Sequence, residues 1–192
     1  TSRKVDRPIR PMFPEGFRND IQIVVTPLSV DQENPPDILA IIGASAALSI
    51  SEIPFEGPLA GVRVAKVGDQ FIVNPTSSQM KESSLDLVIA GNRDSISMIE
   101  AGADQASEAD VLAAIKAGHV VIKELINLQL ELVKQAGQPK VAVVCHQIDP
   151  QVEKLVRDKA SAQIEAALKI ADKDKQDGAV KKIIEEIKES AK

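Results

Sequence analysis

The chain has 192 residues, 44% of them hydrophobic and 27% charged, so it can build a core of ordinary domain size and is neither disordered nor fibrous. One cysteine excludes an internal disulfide framework, and a net charge of −5 argues against a globally basic nucleic-acid coat. Only four residues are aromatic, all of them phenylalanine, which weakens any RNA platform based on base stacking. No apolar run approaches the roughly 18 to 20 residues that cross a bilayer. We expect no signal peptide, no membrane partner and a cytoplasmic location.

A strand and a buried helix are predicted in the first fifty residues. Residues 21–25 (IQIVV) are mostly β-branched and bounded by turn residues, which predicts a strand. Residues 38–50 are rich in Ile, Leu and Ala, which predicts a buried helix with Asn34 as its cap. Gly43 lies in the middle of that helix, where glycine costs about 1 kcal/mol relative to alanine. Its presence there predicts close packing of the helix against a sheet.

The next ninety residues are predicted to form a set of short strands and one long helix. The predicted strands are 59–67, 70–73, 85–90 and 92–100, with a hairpin turn at Gly68 and Asp69. Ser107 opens a helix that keeps an apolar period of 3.6 residues from 108 to about 135. Gly137 and Pro139 stop it. The pattern indicates an α/β fold.

Beyond residue 150 the composition changes. Lys, Glu, Asp and Ala dominate, and apolar residues recur at helical spacing. This pattern predicts a separate all-α region of two helices, with residues 172–178 as the loop between them. Charges there nearly balance, which is typical of solvated outer helix faces.

Four segments and one dipeptide carry a resemblance to a known family. The most specific is residues 3–17, RKVDRPIRPMFPEGF. The others are residues 41–48 (IIGASAAL), 53–58 (IPFEGP), 81–91 (KESSLDLVIAG) and Gly118-His119. In order and spacing they resemble the bacterial polyribonucleotide nucleotidyltransferase (polynucleotide phosphorylase) family. The resemblance covers most of residues 1–140.

The resemblance implies a ribonuclease-PH-like fold of the ribosomal protein S5 domain 2-like type, with β-α-β layers. On this reading residues 1–139 form the first ribonuclease-PH-like domain, incomplete because the family's opening strands are missing. Residues 140–192 form part of the all-α helical domain. The family's second ribonuclease-PH-like domain and its KH and S1 RNA-binding domains are not in this sequence.

The resemblance also implies 3′-to-5′ phosphorolysis of single-stranded RNA and mRNA, which releases nucleoside diphosphates. The family uses inorganic phosphate and Mg²⁺, forms homotrimers and in some bacteria joins an RNA-degrading assembly. In the family's active half, a serine-rich helix N-terminus holds the phosphate, whereas this chain has Pro35, Pro36 and Asp37 at the matching place. Prolines lack N–H donors and an aspartate repels an anion, so this terminus is closed to phosphate.

The active half also has two metal-binding aspartates and a lysine, and this chain keeps only one of the three. Asp86 matches one aspartate, but Met80 and Val88 stand at the other aspartate and the lysine. We therefore expect no catalytic residue and no metal ligand in this chain, with Mg²⁺ bound in the missing half. The segment would then be the non-catalytic half that supports the trimer and the RNA channel.

Three arginines near the start are the candidate contacts to RNA or phosphate. Arg3, Arg7 and Arg10 are three or four residues apart, so in a helical turn they share one face. The planar guanidinium group suits phosphate oxygens. Two alternatives remain open: ion pairs in a subunit interface, and a separate regulatory site for a nucleotide or phosphate on the same arginines.

Overall fold

The computed structural model describes residues 2–190, and these residues form six helices, a 3₁₀ turn and four strands. In chain order they are α1 (Ser2–Ile9), the 3₁₀ turn (Arg10–Met12), α2 (Asp37–Ile50), β1 (Ala60–Val67), β2 (Gln70–Val73), α3 (Ser77–Met80), β3 (Leu85–Gly91), β4 (Ile96–Ala103), α4 (Glu108–Ala136), α5 (Pro150–Leu168) and α6 (Lys173–Ser190). The chain divides into two compact units, Thr1–Cys145 and His146–Lys192.

The first unit contains one antiparallel sheet with the strand order β2-β1-β3-β4. A tight turn at Gly68, which has a φ of +56°, joins β1 to β2 as the sequence predicts. Val62 of β1 lies opposite Ile89 of β3, and Val88 of β3 lies opposite Glu100 of β4. Since side chains alternate along a strand, odd-numbered residues of β3 point to one face and even-numbered residues to the other.

Helices cover both faces of this sheet. On one face, α4 contributes Ala114, Ile122 and Ile126 to a core with residues of β1 and β3, namely Ala60, Val62, Val64, Leu85, Leu87 and Ile89. On the other face, Val88, Ala90 and Met98 pack with Val5 and Ile9 of α1 and with Ile38, Ala40, Ile41, Ala44 and Leu48 of α2. The predicted α/β class is confirmed.

Close helix–sheet contacts occur at glycines, but not at the predicted one. The predicted packing of α2 on the sheet is present, but Gly43 is not the point of contact, because it is exposed and a Cβ built there meets nothing within 4 Å. Its neighbours Ala44 and Ser45 are among the buried positions of α2. A Cβ at Gly118 of α4 would lie 2.7 Å from Ile89 Cδ1, and one at Gly61 would lie 2.8 Å from Ile41 Cδ1. These two glycines allow the close approach.

The strand predicted at residues 21–25 is wrong. The segment has no regular secondary structure and is mostly exposed, and between residues 2 and 190 no strand pairs with it. A strand needs a neighbour to bind its N–H and C=O groups, so β-branched residues alone do not make one. The fourth sheet strand begins at Ile96 instead of residue 92, because Asn92 accepts hydrogen bonds from the Asp94 and Ser95 N–H groups and forms a turn.

Helix boundaries differ from the predictions where side chains find other partners. Asn34 does not cap α2: it donates to Asp31, and Pro36 holds the cap position without a side-chain bond. Ser107 caps α4 as predicted, accepting the N–H of Asp110. Residues 172–178 are not a loop. The Asp172 carboxylate accepts the Lys175 N–H, and α6 begins directly after it.

The second unit is a pair of helices, α5 and α6, as the composition predicts. They pack through the buried residues Ala160, Ala167 and Ile183. Among the residues that the structure describes, no helix is both long enough and apolar enough to span a membrane.

Candidate functional site

The first helix separates apolar from basic side chains. Val5 and Ile9 of α1 are buried against the core, while Arg3 and Arg7 are exposed. Residues four apart in a helix lie on the same face, so the two guanidinium groups share the solvent side of α1. Neither forms an ion pair within residues 2–190. The helical face predicted from the arginine spacing is therefore present.

Arg10 lies in the 3₁₀ turn that follows α1. It binds the Asp6 carboxylate in a bidentate pair, with Nη2 2.7 Å from Oδ1 and Nε 3.3 Å from Oδ2. Its side chain is 77% exposed, so the pair is a surface one and contributes little to stability. Arg3, Arg7 and Arg10, which we call the arginine face, all remain open to solvent.

A network of charged side chains occupies the N-terminus of α2. Asp37 Oδ2 lies 3.1 Å from Lys4 Nζ and 2.9 Å from Arg63 Nη2, and Oδ1 accepts the N–H of Ile38 at 3.0 Å. Arg63 Nε also donates to Asp86 Oδ1 at 3.0 Å. The carboxylate of Asp37 thus binds two cations, Lys4 and Arg63, and the backbone N–H of Ile38.

Burial raises the pKa of the Asp37 carboxyl, but other effects outweigh it. The hydrogen bond from Lys4, the positive charges of Arg63 and Lys4, and the Ile38 N–H all favour the ionised form. The pKa of Asp37 is therefore lower than that of an ordinary aspartate. At neutral pH this helix terminus carries a fixed negative charge.

The sheet face beneath this network combines charged and apolar residues. In the strand register Val88 lies between Arg63 and Glu100, and its side chain is buried. Asp86 is on the same face of β3, two residues away, and is engaged by Arg63. Met80, at the end of α3, is half-buried. On this face the salt-bridged side chains of Arg63, Asp86 and Glu100 lie around the buried side chain of Val88.

These residues do not fit a Mg²⁺ ion, which prefers several oxygen ligands in octahedral geometry. Over residues 2–190, no group of three or more His, Cys, Asp or Glu side chains is placed to hold a metal. The carboxylates of the network, those of Asp37, Asp86 and Glu100, are already bound by Lys4 and Arg63.

Sequence reasoning missed Lys4, Arg63 and Glu100. Lys4 Nζ lies 3.6 Å from Glu100 Oε1 as well as close to Asp37, and its side chain is only 17% exposed. A signal was present: Arg63 interrupts the otherwise apolar start of β1, AGVRV. A charge in a buried strand needs an ionised partner, which could have pointed to Asp37 or Asp86. Lys4, in contrast, looks like another member of the arginine face.

Sequence models of one family match most of the first unit. Residues 1–54 match the 3′ exoribonuclease family, domain 1, and residues 57–121 match the 3′ exoribonuclease family, domain 2. The two matches meet between α2 and β1, and the second ends within α4. The prediction of a ribonuclease-PH-like fold is confirmed.

Curated relatives match nearly the whole chain. The polyribonucleotide nucleotidyltransferase of Brevibacillus brevis is 48% identical over 98% of this chain and 26% of its own length. That of Geobacter sulfurreducens is 51% identical over 90% of this chain and 25% of its own length. The solved structure of rice Rrp46 is 14% identical over 54% of this chain and 49% of that chain, with a TM-score of 0.48.

This chain spans about a quarter of the length of the curated relatives that it matches. Since both domains of one family model are found in order and nearly all of the chain aligns with its named members, this chain belongs to the 3′ exoribonuclease family and resembles its polyribonucleotide nucleotidyltransferases.

Proposed function

We propose that this chain is part of a 3′-to-5′ phosphorolytic exoribonuclease that degrades single-stranded RNA to nucleoside diphosphates. In such a reaction an oxygen of inorganic phosphate attacks the phosphorus of the last phosphodiester. The bond from that phosphorus to the 3′ oxygen of the preceding nucleotide breaks, a nucleoside diphosphate leaves, and the shortened RNA keeps a 3′ hydroxyl. Family membership supports this reaction class.

Within that enzyme, we assign this segment a supporting role. The observation that carries the assignment is the position of the Asp37 carboxylate, between Lys4 and Arg63 and bound to the Ile38 N–H in the first turn of α2. A helix N-terminus attracts a phosphate when its N–H groups and nearby cations are free. Here both cations are paired with carboxylates, and a bound phosphate would face the negative charge of Asp37.

The arginine face is the proposed contact to RNA. Arg3, Arg7 and Arg10 are exposed on one side of α1 and its 3₁₀ turn. Phosphate contacts by arginine give sequence-independent, salt-sensitive affinity, which suits an enzyme that degrades RNA of any sequence. Because the chain as a whole carries a charge of −5, RNA binding would depend on such a local cluster.

The remaining parts of the proposal follow from the resemblance to the family. They are assembly into a homotrimer, association with an RNA-degrading assembly in a cytoplasmic setting, and use of Mg²⁺ bound outside this chain. Residues 1–139 as the ribonuclease-PH-like domain and residues 140–192 as part of the helical domain also remain proposals.

A phosphorolysis assay tests the assignment of the segment. The 192-residue chain is incubated with an end-labelled oligoadenylate, phosphate and Mg²⁺, beside a full-length polyribonucleotide nucleotidyltransferase as positive control. We expect nucleoside diphosphate from the control only. Release of diphosphate by the 192-residue chain would overturn the supporting role and place the chemistry in this segment.

A second function, a regulatory site for a nucleotide or inorganic phosphate, would use the same arginines. The exposure of Arg3 and Arg7 favours it as much as it favours RNA. Competition separates the two: a regulatory site would bind phosphate or a mononucleotide at concentrations that leave a bound oligoadenylate in place. RNA contact predicts that oligoadenylate binds much more tightly than either small ligand, because it engages several arginines at once.

A further inference from the structure

Lys4 differs from the other basic residues of α1. Arg3 and Arg7 are exposed, whereas the Lys4 side chain is 17% exposed and directs its ammonium group at Asp37 and Glu100. Lys4 directly precedes Val5, which is buried in the core. Lys4 therefore lies at the border between the side of α1 that packs on the core and the side that faces solvent.

The carboxylate of Asp37 joins three elements. Lys4 reaches it from α1, Arg63 reaches it from β1, and Asp37 itself begins α2. Arg63 is in turn fixed by Asp86 of β3, and its side chain is only 12% exposed. The position of the Lys4 ammonium group is thus tied to the sheet.

We propose that Lys4 and Asp37 are positioning residues that fix the rotation of α1, so that the arginine face points to solvent. This inference rests on the proposed RNA contact of that face. Lys4 itself does not bind RNA. It holds α1 through Asp37, while Arg3, Arg7 and Arg10 make the contacts.

Apolar packing alone would hold α1 less strictly. Val5 and Ile9 contribute burial, which is non-directional, and α1 has only eight residues. A shift of register by one residue turns a helix by about 100°. Such a turn would carry Arg7 from the solvent side toward the core. The charge-assisted bonds of Lys4 to Asp37 are directional and oppose that rotation.

Replacing Asp37 by asparagine tests the proposal through the sign of its effect. Removal of a negative charge near an RNA-binding face, by electrostatics alone, tightens RNA binding. Removal of a positioning interaction weakens RNA binding instead. For Asp37→Asn we expect oligoadenylate affinity to fall roughly 2- to 30-fold, the range for residues that act on a ligand through a neighbour.

The Asp37→Asn variant should still fold. Asparagine has the size of aspartate and keeps an oxygen for the Ile38 N–H, Arg63 keeps Asp86, and Lys4 keeps Glu100. A melting curve confirms that each variant is folded at the temperature of the binding assay. Unchanged or tighter RNA binding by folded Asp37→Asn overturns the proposal.

Lys4 variants provide the second arm. Lys4→Met should weaken oligoadenylate binding, whereas Lys4→Arg should bind like the parent chain because arginine still reaches Asp37. The double variant Lys4→Met, Asp37→Asn should bind oligoadenylate no more weakly than whichever single variant binds it less tightly. Lys123→Met, which removes an exposed charge of α4, is the matched control and should bind like the parent chain. Additive effects of Lys4→Met and Asp37→Asn, or failure of Lys4→Arg to rescue, would show that Lys4 acts on RNA directly.

The two proposals fail in different ways. If Arg7→Ala weakens RNA binding and Asp37→Asn does not, the RNA contact stands and the positioning role is wrong. If Arg3→Ala, Arg7→Ala and Arg10→Ala all leave RNA binding unchanged, the proposed RNA contact itself is wrong, and the positioning role fails with it.

Discussion

Arg63 Nη2 lies 2.9 Å from Asp37 Oδ2, so a cation in the middle of β1 neutralises the carboxylate that begins α2. The two side chains are 12% and 14% exposed, and Asp86 and Lys4 complete their hydrogen bonding. Removing the Asp37 charge costs stability because the pair is this buried, although Arg63 keeps Asp86 and Lys4 keeps Glu100 as partners. The N-terminus of α2, which could otherwise attract an anion, is therefore occupied by the chain's own Asp37 carboxylate.

The acid dependence of stability reports on Asp37. Because the folded state lowers its pKa, the carboxylate contributes stability that is complete above the pKa of an unfolded aspartate, about 3.9. That contribution is lost as the pH falls through the lower folded value. We expect Asp37→Asn to be less stable than the parent chain by about 1 to 3 kcal/mol at neutral pH.

Urea unfolding at neutral pH and near pH 3 measures this difference. The gap in unfolding free energy between the parent chain and Asp37→Asn should narrow at the acidic pH, because that pH lies below the pKa of an unfolded aspartate and proton binding then stabilises the unfolded parent chain. Asp6→Asn, at an exposed surface pair, serves as a control and should change stability little at either pH. A gap that stays constant or widens with acid would contradict the role assigned to Asp37.

Salt dependence counts the phosphates that the arginine face binds. Arg7→Ala should weaken oligoadenylate binding and make the slope of log K against log salt less negative by about 0.7 for each phosphate of the single strand that the variant no longer binds. Fluorescence anisotropy over a salt series gives both quantities. Arg93→Ala removes the same charge from the β3–β4 turn and should leave the slope unchanged. Equal slopes for Arg7→Ala and the parent chain would exclude Arg7 as a phosphate ligand.

Two glycine variants should change stability in opposite directions. A Cβ at Gly118 would press on Ile89 and Val64, so Gly118→Ala should destabilise the chain by about 1 to 3 kcal/mol. Gly43 has open space around it inside α2, so Gly43→Ala should stabilise the chain by about 0.5 to 1 kcal/mol. Thermal and urea unfolding of both variants provide the comparison. Stabilisation by Gly118→Ala would contradict the close packing of α4 on the sheet.

Lys140 closes the C-terminal end of α2. Its ammonium group donates to the carbonyl oxygens of Leu48, Ser49 and Ser51 at 2.7 to 3.0 Å. A cation stabilises carbonyls that lack helical partners, so Lys140→Met should cost about 1 kcal/mol of unfolding free energy. Lys134→Met, at an exposed surface pair with Glu131, should cost less than about 0.5 kcal/mol. Equal destabilisation of both variants in urea titrations would argue against the capping role.

The unpaired segment at residues 21–25 should limit solubility. Val24 is 74% exposed in a β-branched stretch without a partner strand, and such stretches can pair with strands of other chains. Val24→Lys should raise the concentration at which light scattering detects association, with little change in unfolding free energy. Val120→Lys, at an exposed position of α4, changes the same residue types outside an extended segment and should have a smaller effect. If Val24→Lys and Val120→Lys raised the association concentration equally, the added charge alone would explain the higher solubility.

Local sequence was sufficient to predict the elements whose backbone hydrogen bonds lie within one helix or between neighbouring strands. The helix after residue 37, the hairpin at Gly68, the serine cap at Ser107 and the long helix behind it all follow from local periodicity and turn chemistry. It also determined that Arg3 and Arg7 share a face, since helical spacing alone decides that. Its motifs were enough to indicate the family.

Features that depend on a partner distant in sequence could be identified only from the folded chain. Residues 21–25 have the composition of a strand, but a strand exists only where another one binds it. A glycine is required only where a side chain would collide with the element packed against it. The sequence does not show which elements pack together, so it could not distinguish Gly61 and Gly118 from Gly43. Lys4 and Arg63 are 59 positions apart, and only folding brings both to Asp37, because ion pairs form between side chains that meet in space, whatever their separation in sequence.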